Sequence, residues 1–273
     1  MPSRETKADA SKAVLQDAPA RATIGAVDIL FVAAVFVLAG LVKGVIGLGL
    51  PTVAMGLLGL AMPPAQAAAL LVVPSLVTNA WQLLAGPGLA RIVRRLWPMM
   101  AGIAVGTALG TGLVAGVGGS GATAALGAAL IAYGVVGLAR LRLRVSPRAE
   151  RWAGPAVGAA TGWVTGVTGV FAIPAVPYLG SLGFERDELV QALGLSFTVS
   201  TIALAAGLAW HDALHWRTAA ESLPAVAAAL AGMAVGGRLR ALVRPETFRR
   251  GFFVALLVLG AELVWRGVGI GRG

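Results

Sequence analysis

From residue 44 to residue 90 the chain carries no charged side chain, and the segment before Lys43, ILFVAAVFVLAGLV, is uncharged as well. A run of that kind has no place on the surface of a soluble domain. It suits hydrocarbon, where about 20 apolar residues cross roughly 30 Å. Yet Lys43 interrupts it, and GVIGLGLP follows at once, with Gly44, Gly47, Gly49 and then Pro51. A lysine at the centre of a spanning helix costs about 2.5–3.5 kcal/mol on insertion scales. Both the cation and the glycines behind it therefore need a reason.

Composition extends the membrane reading to the whole chain. Of 273 residues, 58% are hydrophobic and only 12% charged, whereas soluble domains carry about 25% charge. Apolar stretches of spanning length recur from residue 24 to residue 265, rich in the Gly and Ala that let membrane helices approach closely. The expected fold is all-α and polytopic. Residues 1–23 read as a polar, disordered tail. The apolar run after them is longer than a signal-peptide core, so no cleavage is expected. A first transmembrane repeat over 24–140, a basic cytoplasmic loop over 141–153 and a second repeat over 154–268 complete the division.

The net charge of +10 would suggest nucleic acid in a soluble protein. Here the basic residues form three groups beside apolar spans: Arg91, Arg94 and Arg95; Arg140 to Arg151; and Arg238 to Arg250. Such clusters mark cytoplasmic loops, so no nucleic-acid partner is expected. With no cysteine, and with His211 and His215 together in one polar loop, neither a thiolate metal site nor a cysteine nucleophile exists. No enzyme activity and no cofactor are expected.

An internal repeat emerges on searching for the opening stretch elsewhere. GLVKGVIGLGLP at 40–51 reappears as GWVTGVTGVFAIP at 162–174. Gly40, Gly44 and Gly47 match Gly162, Gly166 and Gly169 at one offset, and Pro51 matches Pro174 after a one-residue insertion. PSLVTN at 74–79 lies opposite FTVSTI at 197–202, and GIAVG at 102–106 resembles GMAVG at 232–236. Each half thus holds a glycine-broken pair of short apolar segments, followed by three spans. These fall near 64–85, 96–117 and 121–140, and near 187–209, 216–237 and 248–266. With the basic loops all inside, an odd number of crossings separates the halves, and the N-terminus lies outside. The halves then form inverted repeats, an architecture in which broken helices meet at the substrate site of secondary transporters.

Helix-end physics gives the glycines their reason. Glycine weakens a helix by about 1 kcal/mol relative to alanine, and proline is tolerated in the first turn, where its missing N–H would be unpaired anyway. Gly44, Gly47 and Gly49 are expected to end one helix and Pro51 to start the next, with Gly166, Gly169 and Pro174 doing the same in the second half. Each restarted helix offers backbone N–H groups and a positive dipole end to an anion. Lys43 adds a full charge.

The stretch AGLVKGVIGLGLPTVAMGLL with AAALLVVPSLVTNAWQLLAG, repeated more loosely as TGWVTGVTGVFAIPAVPYLGSLGFERDELVQALGLSFTVST, resembles the TauE/SafE or sulfite exporter family across residues 27–266. The resemblance implies a multi-pass inner-membrane transporter of sulfur-containing anions such as sulfite, sulfoacetate and related sulfonates, usually outward. In this chain Thr165 stands where the first half has Lys43, so one half alone supplies a fixed charge.

Asn79 and Gln82, spaced i, i+3 on one helical face, are candidate ligands, as are Thr165, Thr168, Ser196, Ser200 and Thr201 in the second half. The plainer alternative is that the amides join helices and that the hydroxyls bond their own backbone. Most tryptophans read as interfacial anchors, while Trp81 and Trp163 sit beside candidate site residues. Asp28, Asp212 and Glu262 all lie near helix ends, which leaves no buried carboxylate to carry a proton. Outward movement of an anion needs none, since a negative interior favours it by about 2.3 kcal/mol per charge per 100 mV. The expected partners are a small anion and membrane lipids, with a homo-oligomer left open. A carrier or channel for another small anion, proton-coupled or not, is the alternative.

Overall fold

The computed structural model describes residues 26–86, 88–116, 119–139, 144–214 and 222–269. The tail expected over 1–23, the start of the basic loop at 140–143, and His215 and Trp216 lie outside the described residues. Two compact units divide the chain, 1–32 and 33–273.

All regular structure among the described residues is helical. The order is α1 (Ala26–Ile46), α2 (Leu50–Leu58), α3 (Pro64–Leu84), α4 (Leu89–Gly116), α5 (Gly119–Ala139), α6 (Pro147–Thr168), α7 (Ala175–Ser181), α8 (Arg186–Trp210), α9 (Leu223–Leu239) and α10 (Pro245–Gly269). Five are long and apolar enough to cross a membrane: α1 from Ile29, α3, α5, α8 and α10. The chain is a multi-pass membrane protein.

Proline and polar caps explain where several helices begin. Pro51, Pro64, Pro147 and Pro224 each occupy a first turn, where the missing N–H is harmless. Ser146 Oγ accepts from the Ala149 N–H at 3.3 Å, and Glu150 lies in the same first turn, complementing the positive helix end. Residues 147–153, read as loop from their charge, are accordingly the opening turns of α6. Helix α4 likewise starts at Leu89 and carries Arg91, Arg94 and Arg95 in helical turns, so its helix runs past its apolar part.

The chain breaks where the glycines indicate, with one difference. The limb before each break is a full helix of 21 or 22 residues, and only the limb after it, α2 with 9 residues or α7 with 7, is short. The pair of short segments expected in each half is therefore one long helix and one short one.

Packing follows the repeat. The first helix of the second half, α6, lies along α4, the fourth of the first half. Reciprocally, α1 lies on α9: a Cβ placed on Gly40 would meet the Ala229 carbonyl oxygen at 2.1 Å, and one on Gly44 the Met233 oxygen at 2.3 Å. Equivalent helices α3 and α8 pack on each other, as do α5 and α10. Between the latter pair Tyr133 meets Phe253 edge-on, with ring centroids 5.3 Å apart. Gly44 and Gly166 thus sit inside helices. A Cβ on Gly166 would meet the Thr107 oxygen at 2.6 Å, so close approach rather than helix breaking is what requires glycine at both positions.

Two peripheral features bear on the site. Trp81 and Trp163 are 68% and 50% exposed, facing outward as interfacial or lipid-facing groups do, not inward. At the basic-loop end Arg95 grips Glu150 through two hydrogen bonds of 2.6 and 2.8 Å and also donates to the Leu182 carbonyl. Hydrogen bonding to Glu150 raises the Arg95 pKa above its ordinary value. This fork ties α4 to α6 and to the turn after α7.

Candidate anion site at the first helix break

Lys43 lies in the last turn of α1 and is 4% exposed. Its ammonium donates to Asn79 Oδ1 and, at 3.2 Å, to Thr78 Oγ1. Thr78 can accept because its own hydroxyl proton goes to the Pro74 carbonyl at 2.8 Å. Asn79 Nδ2 then donates to Thr201 Oγ1 at 3.3 Å, and Thr201 donates to the Phe197 carbonyl at 2.7 Å. The polar chain Lys43–Asn79–Thr201 therefore links α1, α3 and α8 and joins the two halves.

An ammonium has three N–H donors, and two are used within the protein. None of the ion pairs among the described residues involves Lys43; the acidic partners are Glu188, Glu150 and Glu262. Among the described residues this buried cation lacks a fixed counter-charge and retains one N–H donor, the type of group that charge-assisted hydrogen bonding to an anion employs.

Gln82 takes a different position from Asn79 although it shares its helix face. Its Nε2 donates to the Gly47 carbonyl at 3.1 Å and to the Val190 carbonyl at 3.0 Å, fastening the break to α8. Its Oε1 is buried without a partner among the described residues.

At the break, Gly47 (φ 79°) and Gly49 (φ 103°) adopt left-handed backbone, where a Cβ is disfavoured. The Gly47 N–H closes α1 on the Lys43 carbonyl at 2.7 Å, and the Gly169 N–H closes α6 on the Thr165 carbonyl at the same distance. Lys43 and Thr165, matched by the repeat, thus hold equivalent helix-end positions. Between α1 and α2, Leu48, Gly49 and Leu50 donate to no backbone carbonyl among the described residues, and Gly49 and Leu50 are buried.

The second break is not a copy of the first. Pro174 precedes α7 as its cap, after a cis Ile173–Pro174 peptide bond, instead of starting the helix. In the first turn of α7 the Val176 and Tyr178 N–H groups already donate, to the Ala172 and Pro174 carbonyls. The two helix starts matched by the repeat are therefore not equal: the approach to α2 keeps consecutive backbone N–H groups, those of Leu48, Gly49 and Leu50, without a backbone acceptor among the described residues. The breaks are nevertheless neighbours: a Cβ on Gly169 would meet the Met55 side chain of α2 at 2.9 Å.

The remaining candidates divide by hydrogen bonding. Thr165 and Thr168 return their hydroxyl protons to the Thr161 and Val164 carbonyls of their own helix at 2.7 Å, the plainer of their two readings. Ser196 and Ser200, one turn apart on α8, are fully buried, and their hydroxyls have no partner among the described residues; the same holds for Ser75 on α3. An orphaned buried hydroxyl costs about 1–3 kcal/mol, which a ligand or water would relieve. Sequence reading passed over Thr78 and Ser75, although setting PSLVTN against FTVSTI places Thr78 opposite Thr201. It also passed over Gln191, which holds the end of α3 by donating to the Leu83 and Gly86 carbonyls at 2.8 Å and accepting from the Gly88 N–H at 2.9 Å.

Comparison with curated proteins and with solved structures finds no match. A family model described as Sulfite exporter TauE/SafE matches residues 32–263, a span that contains both breaks, the Lys43 network and the buried serines. On that coverage the chain belongs to the TauE/SafE sulfite exporter family, a family of sulfur-anion transporters.

Proposed function

We propose that this protein is a secondary transporter that exports small sulfur-containing anions, sulfite or an organosulfonate such as sulfoacetate, across a bacterial inner membrane. The observation that carries the proposal is Lys43: a buried ammonium beside a helix break, hydrogen-bonded to neutral groups only. Family membership supports the sulfur-anion class. Asn79, Gln82, Ser196 and Ser200 supply the polar surroundings, with the N-terminus of α2 adding N–H donors. With no buried carboxylate in the network, the membrane potential alone suffices to drive an anion outward.

The test is efflux from liposomes loaded with labelled sulfite or sulfoacetate. Both are expected to leave, faster when the interior is made negative, while zwitterionic taurine stays behind. Efflux of taurine in preference to the anions would refute the proposal.

Inverted halves are the second part of this reading, supported by the reciprocal packing of α1 on α9 and α6 on α4. The chain lacks cysteine, so single cysteines introduced at Ser146 and at Ala213 report sidedness directly. An impermeant maleimide is expected to reach them from opposite faces of the membrane, and labelling from one face rejects the inverted arrangement.

A further inference from the structure

A cavity of about 520 Å³ opens beside the first break. Ile46 and Leu48 of the break contribute to its wall, with Val176 at the start of α7, Leu193 of α8 and Phe253 of α10. Ile46 is one helical turn from Lys43, so the cavity adjoins the candidate site without including its polar groups.

Arg144 and Arg249 also line it. They come from separate basic segments, both are exposed, and neither joins an ion pair among the described residues. Two like charges at one cavity repel each other, and an anionic group between them converts repulsion to attraction. Guanidinium forks suit oxyanions, which they bind through paired N–H donors. Tyr133, in the same wall, keeps a buried hydroxyl without a partner among the described residues.

Size and lining restrict the ligand further. An inorganic oxyanion has the bulk of a few water molecules, each with a share of about 30 Å³, and would leave most of this space unfilled. The volume falls in the range of about 300–1,000 Å³ typical of small-molecule pockets. Walls that are mostly apolar, with two guanidinium groups among them, match a molecule that is apolar along its body and acidic at one end.

We infer that this cavity is a second anion site, distinct from Lys43, that takes an amphipathic anion with its acidic head on Arg144 and Arg249 and its apolar body against Leu48, Val176, Leu193 and Phe253. Its place on a transport path rests on the proposed function; its binding does not. The same chemistry is offered by a soluble organic anion and by an anionic lipid.

Calorimetric titration of the purified full chain in uncharged detergent tests the site, using sulfite and straight-chain alkanesulfonates from ethane- to hexanesulfonate. Affinity is expected to rise about fourfold with each methylene, the equivalent of ~0.8 kcal/mol of burial. Arg144→Gln with Arg249→Gln is expected to cost hexanesulfonate at least tenfold and to leave sulfite binding unchanged. Both arginines are exposed, so folding should survive their loss, with melting curves as the check. Leu193→Trp, which fills the cavity instead of removing charge, should flatten the chain-length series.

An affinity independent of chain length, or hexanesulfonate binding indifferent to the arginine pair, overturns the inference. Hexanesulfonate binding that depends on the arginines, in a protein that binds neither sulfite nor sulfoacetate and moves neither across liposomes, would uphold this cavity while removing the proposed function. Displacement of hexanesulfonate by short-chain phosphatidylglycerol, but not by phosphatidylcholine, identifies the site's occupant as a lipid head group. No displacement by either identifies it as a soluble anion.

Discussion

Lys43→Met is expected to lower the affinity for sulfite or sulfoacetate about tenfold to a hundredfold while leaving the ligand-free protein folded. A charge-assisted hydrogen bond contributes roughly 1.5–3 kcal/mol, and the third ammonium proton is the donor that no group among the described residues occupies. Stability is set by two opposed effects. Removing a buried charge relieves a desolvation penalty of several kcal/mol. Against this, Asn79 Oδ1 loses its donor, and an orphaned buried acceptor costs about 1–3 kcal/mol. The first is larger, so the melting temperature should hold or rise. Adding Asn79→Leu to Lys43→Met removes the orphan and should raise it further. Lys43→Arg is expected to keep part of the affinity, because charge survives while the donor geometry changes. Calorimetry and melting curves on the same preparations read both quantities. Unchanged anion affinity in a folded Lys43→Met protein would remove the centre of the proposed site.

The helix breaks were legible because their signals are local. Gly47 and Gly169 are needed where a helix ends in left-handed backbone, and the chain around each end repeats, so both breaks could be placed from residue identity alone. What remained hidden was which glycines serve the break and which serve packing. Gly44 and Gly166 recur at the same offset as Gly47 and Gly169, and a one-dimensional repeat cannot tell a turn from a contact with another helix. GIAVG and GMAVG carried that missing information: they are the surfaces on which α6 and α1 pack. The start of α6 was obscured for another reason. Its first turns carry Arg148, Glu150 and Arg151, and charge drew attention away from a Ser-Pro helix start.

The polar network of the candidate site was legible to the extent that its charge was. A lone lysine within uncharged sequence points to itself, and Asn79 is found by its rarity in such surroundings. Thr78 and Thr201 look like any hydroxyl residues of a membrane helix, and only their contacts with Lys43 and Asn79 distinguish them from Thr165 and Thr168. The asymmetry of the two breaks was foreshadowed by Lys43 standing opposite Thr165. It extends further than that pair, because the inserted residue before Pro174 changes how α7 begins.

Alanine at Gly106 or Gly236 is expected to destabilise the fold by about 1–3 kcal/mol at each position, or more. These glycines are equivalent in the repeat and face the two reciprocal interfaces. A Cβ on Gly106 would stand 2.1 Å from the Ala159 carbonyl oxygen of α6, and one on Gly236 would stand 2.2 Å from the Leu41 carbonyl oxygen of α1. The obstructing atom is backbone in both cases, so no rotamer change can clear it; the helices must move apart, and contacts along the small-residue seam weaken with them. Gly237 supplies the control. It is the next residue of α9, yet a Cβ there meets nothing within 4 Å. Gly237→Ala should therefore stabilise the helix by up to ~1 kcal/mol through propensity alone. Melting of the three purified variants under one set of detergent conditions decides the matter. Opposite shifts for Gly236→Ala and Gly237→Ala fit the close approach of α1 to α9, whereas equal shifts would contradict it. If Gly106→Ala and Gly236→Ala destabilise to a similar degree, the two interfaces also match in energy as they do in sequence.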